Sequence, residues 1–187
     1  MGPLSRQVGL AVDQVLEIQG VWGDGSPFVL SRVVDAGSLE WRGLCGAAPF
    51  LGVVSALRMT TQPLVPLWLE QRVVSPDQLP EVMLQAEAAD SSACLQWHWE
   101  SADAVQLLRI ADAPWTDAQK IEGLHQLPPL RGSAPMPPRS HTEVVGLLGP
   151  AAAELWGALM PDLCRLLQHR PHPFCSLACQ QLGGATQ

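Results

Sequence analysis

The chain has 187 residues, with 18 acidic and 11 basic side chains, a formal net charge of -7, and 47% hydrophobic against 16% charged residues. That length suffices for one domain with a substantial core, and the low charge excludes a disordered polyelectrolyte. A single lysine (Lys120) among scattered arginines leaves no basic footprint for nucleic acid or an anionic membrane surface.

The N-terminus lacks the basic, apolar and small-residue succession of a signal peptide, because Arg6, Asp13 and Glu17 interrupt its apolar stretch. No apolar run approaches the roughly 20 residues needed to span a bilayer. Five cysteines, Cys45, Cys94, Cys164, Cys175 and Cys179, are an odd number, which disfavours a disulfide framework. The expected setting is the cytoplasm, with each thiol either buried or a metal ligand.

In chain order, Val8 to Val34 alternates in strand fashion around the turn Gly23-Asp24-Gly25-Ser26-Pro27, which predicts an N-terminal hairpin. Phe50, Val53, Val54 and Leu57 follow helical spacing and predict an amphipathic helix over 47–60, with Cys45 just before it and Pro63 and Pro66 beyond it. A helix with Leu79, Val82, Met83 and Ala86 on one face begins after Ser75-Pro76-Asp77. A second hairpin follows, Cys94 to Trp99 against Ala104 to Ile110. Thr116 opens a short helix that ends near Gly123. The five prolines within 127–139 predict a linker or extended arm. Residues 142–168 are helical in pattern, with breaks at Gly149-Pro150 and Pro161. The whole reads as one α+β domain over 1–187, a helical core with two small β-hairpins.

Two segments combine sulfur with unusual backbone. In Arg42-Gly43-Leu44-Cys45-Gly46-Ala47-Ala48-Pro49 the thiol precedes the predicted helix, where exposed N–H groups and the helix dipole favour thiolate. The bland alternative is a small buried residue in a tight loop. Near the C-terminus, a helix would put Cys175 and Cys179 on one face. With His169 and His172 they would make a local His2Cys2 zinc site, although the spacing matches no zinc signature, and two inert cysteines are the alternative. Cys164 and Cys94 read as core, and His98, His125 and His141 have no companion at ligand spacing. No Gly-x-Ser-x-Gly elbow, phosphate loop or His-Glu-x-x-His occurs.

Taken together, Leu44-Cys45-Gly46-Ala47-Ala48-Pro49 and Cys175-Ser176-Leu177-Ala178-Cys179 resemble the two metal-binding ends of the [NiFe]-hydrogenase large subunit. Thr142-Glu143-Val144-Val145-Gly146-Leu147-Leu148 is similar to an internal helix start of that family. The departures are Ala48 in place of the second N-terminal cysteine, Gly43 for an arginine, Gly52 for a histidine, and Leu182 for the closing histidine. A complete nickel–iron centre cannot be built from this set.

The reduced ligand set resembles the HupK/HoxV-type hydrogenase expression proteins, shortened relatives of the large subunit. The resemblance implies a reduced large-subunit fold and a maturation scaffold, not an enzyme. Cys45 and Cys179, with Cys175 as substitute, would transiently hold an Fe(CN)2(CO) unit. Implied partners are the maturation chaperone, the iron-scaffold proteins and the large-subunit precursor. The alternatives are a metal-free large-subunit mimic bound to that chaperone, and the zinc module on His169, His172, Cys175 and Cys179.

Overall fold

The computed structural model describes residues 2–63, 65–128, 152–170 and 175–186, without the side chains of 47–50, 152–154 and 186. The chain divides into two compact units, Gly9–Pro63 on one hand, and Met1–Val8 with Leu64–Gln187 on the other. The architecture is α+β with two antiparallel sheets. The expected helical core is not what forms: the larger unit is centred on a five-stranded sheet, against which helices pack.

A one-turn helix α1 (Ser5–Val8) belongs to the larger unit. The smaller unit then runs β1 (Val15–Trp22), β2 (Pro27–Ser31), α2 (Arg32–Asp35), α3 (Leu39–Leu51) and β3 (Gly52–Met59). The predicted hairpin is present as β1 and β2, with Gly20 opposite Phe28. Ile18 and Phe28 form the core of this unit with Val15, Trp41 and Leu44.

The helix predicted over 47–60 is displaced. Helical structure begins at Leu39 and ends at Leu51, and Gly52–Met59 pairs antiparallel with β1. Two facts explain the difference. The helix buries Trp41 and Leu44 one turn apart, so its apolar stripe starts earlier than Phe50. A short apolar run with paired valines, Val53-Val54, fits a strand as well as a helix. A bulge shifts the β1–β3 register between Gln19 and Gly20. At that point Gly20 is obligatory, because a Cβ there would collide with the Val53 carbonyl and the Phe28 ring.

The larger unit contains β4 (Leu67–Val74), α4 (Leu79–Ala88), β5 (Ala93–Ser101), β6 (Ala104–Ala111), β7 (Gln119–Ile121), α5 (Ala152–Gln168) and β8 (Leu177–Gln180). Its sheet has the order β7-β4-β6-β5-β8. The predicted second hairpin is β5–β6, with Trp97 opposite Leu107 and Trp99 opposite Val105. Alternation puts these residues on one face, where Leu79 and Val82 of α4 and Trp156, Met160 and Leu167 of α5 cover them. The Trp97 and Trp156 rings meet edge to face at 5.3 Å, and the Trp97 indole N–H donates to Met83 Sδ at 3.1 Å. The opposite face buries Leu67, Leu69, Leu108, Ile110 and Ile121.

Three further expectations need correction. The segment after Thr116 is strand β7, not helix. Asp117 has a φ of 68°, which breaks a right-handed helix, and Ile121 is buried opposite Leu67. Pro161 lies inside α5 and does not end it, since the apolar stripe of Trp156, Met160, Leu163 and Leu167 continues across it and outweighs one lost hydrogen bond. The C-terminal cysteines lie on extended chain: Cys179 in β8 is opposite Trp97. The Pro-rich arm falls largely outside the described residues, as do residues 142–151.

Arg6 of α1 anchors the end of α4. It is 7% exposed and donates to the carbonyls of Ala89 (3.1 Å), Asp90 (3.1 Å) and Ala93 (2.6 Å). These acceptors lie at and beyond the helix C-terminus, where carbonyls lack intrahelical partners and a cation is favoured.

Candidate functional site

The helix-covered face of the larger sheet changes character along its strands. One rank consists of Val74, Val105, Trp99 and Leu177; the next of Arg72, Leu107, Trp97 and Cys179. In the third rank Glu70 stands opposite Arg109, which stands opposite Leu95. The face thus passes from a dry tryptophan core to a polar end, where α4 closes over it with Val82, Gln85 and Ala86.

A cavity of about 90 Å³ lies at that polar end. Its apolar lining includes Val82, Ala86, Leu95 and Leu107, and its polar lining includes Glu70, Arg72 and Arg109. Glu70 Oε1 faces Arg72 Nε at 3.5 Å, and Oε2 accepts the Trp115 indole N–H at 3.2 Å. The Arg109 guanidinium lies over the same indole ring, 4.6 Å from its centre, a cation–π contact. No hydrogen bond or ion pair among the described residues uses that guanidinium. Gln181 forms a further wall: its backbone N–H and side-chain oxygen engage Leu95, and its amide nitrogen donates to the Ala86 carbonyl. That one side chain ties α4 to the edge of β5.

The sequence reading singled out none of these five residues. The available signal was an arginine in the apolar run Ala104 to Ala111 and a Glu-x-Arg pair in Leu67–Val74, all on the parity of the core face.

The residues that were singled out lie elsewhere. Cys45 is inside α3, in the smaller unit, and not at a helix start. Burial raises its thiol pKa, opposed by Arg32, so the expected thiolate is not favoured. Burial likewise raises Cys179, and Cys175 precedes β8. Four residues of extended chain span about 13 Å, so the one-helix-face geometry assumed for this pair is gone. His169 caps α5, its Nδ1 2.9 Å from the Arg165 carbonyl, while His172 and His141 lie outside the described residues. Among the described residues no group of three or more His, Cys, Asp or Glu side chains could hold a metal ion. His98, read as a lone histidine, is 2% exposed with Nδ1 3.6 Å from Glu100 Oε2. Cys94 is buried in β5 and Cys164 packs against the core, as expected.

No known protein family pattern matches the chain, and no curated protein does. Solved structures match its fold. The Bermuda grass isoallergen BG60, a pollen group 4 allergen, aligns with 99% of this chain at a TM-score of 0.72 and 13% identity. A variant of the grass allergen Phl p 4 that is a glucose dehydrogenase aligns with 61% of the chain at 0.53 and 14% identity. BBE-like 1 of the moss Physcomitrella patens aligns with 62% at 0.51 and 16% identity. The chain spans 44% of the first of these proteins, 24% of the second and 26% of the third. At such identities the likeness establishes the fold alone.

That fold overturns the hydrogenase resemblance. The chain shares its architecture with pollen group 4 and BBE-like proteins, and Cys45 lies inside a helix and not just before one. The maturation role, the bound Fe(CN)2(CO) unit and the nickel and iron associations fall with it, and the zinc module has no assembled site among the described residues. The expectation of a non-enzyme rested on the same resemblance, whereas the matched fold includes a glucose dehydrogenase and a glucose oxidase. Among the described residues no helix is long and apolar enough to cross a membrane.

Proposed function

We propose that the chain is one part of an oxidoreductase of the berberine-bridge-enzyme-like kind, contributing a two-sheet scaffold and a small cleft to a larger catalytic assembly. The observation that carries this reading is the alignment of 99% of the chain, at a TM-score of 0.72, with less than half of a pollen group 4 protein. Related structures bear the names glucose dehydrogenase and glucose oxidase. A scaffold that supports both activities calls for a cofactor able to accept a hydride and to pass electrons to oxygen, and a flavin does both.

The described residues of this chain do not make a flavin site by themselves. The cavity under α4 holds about 90 Å³, against roughly 300–1,000 Å³ for cofactor and drug-sized ligands. The hollow along Asp162, Arg165, Leu166 and His169 is an open surface of a single helix. On this reading the described residues of the chain supply scaffold, and no catalytic step is assigned to them. Two measurements test the reading. The isolated 187-residue chain should bind flavin dinucleotide at well under one per chain, while the complete assembly, tagged on this chain in its own cells and purified, should release about one flavin per chain on denaturation. An assembly that releases no flavin overturns the proposal.

A further inference from the structure

We infer that the cleft beneath α4 is a binding site for a small carboxylate, held by Arg109 and with its alkyl tail against Val82, Ala86 and Leu107. Three independent features converge there. The Arg109 guanidinium stacks on Trp115 at 4.6 Å, and on this exposed side chain no protein acceptor among the described residues uses its N–H donors, which leaves them to water or to a ligand. A planar fork fixed on an aromatic ring and left without an acceptor matches a carboxylate through two parallel hydrogen bonds. Beside it lies a cavity of about 90 Å³ with an aliphatic side formed by Val82, Ala86, Leu95 and Leu107, below the roughly 150 Å³ that accepts benzene. That volume suits a short acid and excludes a nucleotide.

The charge balance selects the class of anion. Glu70 stands directly across the strand pair from Arg109 and shares the cavity wall, but its two oxygens are occupied by Arg72 and the Trp115 indole. Its negative charge opposes a dianion more than a monoanion. A monocarboxylate therefore fits better than a phosphate, and the aliphatic lining rewards each added methylene until the cavity is full. Arg72 engages Glu70 Oε1 at 3.5 Å and serves as a positioning residue for it.

The test uses the full chain, with the Trp115 indole N–H resonance, assigned through Trp115→Phe, as reporter and sodium propionate, sodium acetate and inorganic phosphate as probes. Propionate should shift that resonance saturably and bind about fourfold tighter than acetate, as one buried methylene requires; phosphate should bind more weakly than either. Arg109→Gln should weaken propionate at least about tenfold, Glu70→Gln should tighten it, and Ala86→Leu, which fills the cavity from the helix side, should abolish it. Absence of a saturable propionate shift overturns the inference. So does phosphate binding tighter than propionate, or propionate binding that survives both Arg109→Gln and Ala86→Leu in folded protein. None of these readouts involves flavin, so the proposed oxidoreductase role stands or falls separately.

Discussion

Glu70 on β4 and Arg109 on β6 are direct cross-strand partners, and both engage Trp115, Glu70 through the indole N–H at 3.2 Å and Arg109 through the ring face at 4.6 Å. The indole is thus contacted by an acid through its N–H and by a base through its ring face. Trp115→Phe deletes the hydrogen bond and keeps a ring. It should cost about 1 kcal/mol in urea unfolding, whereas Trp115→Ala, which also removes the cation–π contact, should cost about 1 kcal/mol more. Equal stability of the two variants would show that the ring face contributes nothing.

Arg6 satisfies three carbonyls at the end of α4 while almost fully buried. Arg6→Met fills similar volume and removes every donor, so unit stability should fall by about 3 kcal/mol in a urea titration. Arg6→Lys, which cannot span three acceptors with one planar fork, should fall between the two. Wild-type stability in Arg6→Met would contradict the anchoring role.

Burial pushes the Cys94 thiol from an ordinary value of 9.0 up to about 11. The fold therefore favours the neutral thiol. The corresponding stabilisation is complete below about pH 9 and is lost as pH rises through about 11, amounting to about 2–3 kcal/mol. With no tyrosine and a single lysine in the chain, the other groups that titrate in that window are chiefly cysteines, of which Cys45 and Cys179 are also raised by burial. Cys94→Ala should reduce the alkaline slope in urea stability; an unchanged slope would assign it to other thiols such as Cys179. In the same terms Cys94 should resist alkylation at neutral pH in the folded protein.

Gly20 faces the Val53 carbonyl and the Phe28 ring with no room for a methyl group. Gly20→Ala should destabilise the smaller unit by about 1–3 kcal/mol, while Gly23→Ala, where a Cβ meets open space, should leave it unchanged. Hydrogen exchange of β1 amides distinguishes the two variants without reference to the larger unit.

Much of the sheet architecture was legible because it follows a local rule. Alternating Leu95, Trp97 and Trp99 against Val105 and Leu107 announce a hairpin with one buried face, and Leu79, Val82 and Met83 announce the helix over it. The misreadings occur where two periods compete within a few residues. Phe50, Val53, Val54 and Leu57 fit helical spacing, yet Val53 and Val54 lie on a strand whose bulge and partner are set by β1, more than thirty residues earlier in the chain. Cys179 is similar: the gap from Cys175 suits a helix face, but the pairing of β8 with β5 depends on the distant Trp97 and Trp99. The candidate site was illegible for a related reason. Glu70, Arg109, Trp115 and Gln181 are distant in sequence and carry no motif; only the strand register brings them together.

An anaerobic titration of the purified, tagged assembly with an oxidisable sugar tests the oxidoreductase reading most directly. Bleaching of the oxidised flavin absorbance in proportion to added sugar, with recovery on admitting oxygen or an artificial acceptor, is the predicted result. A flavin-free assembly would contradict it.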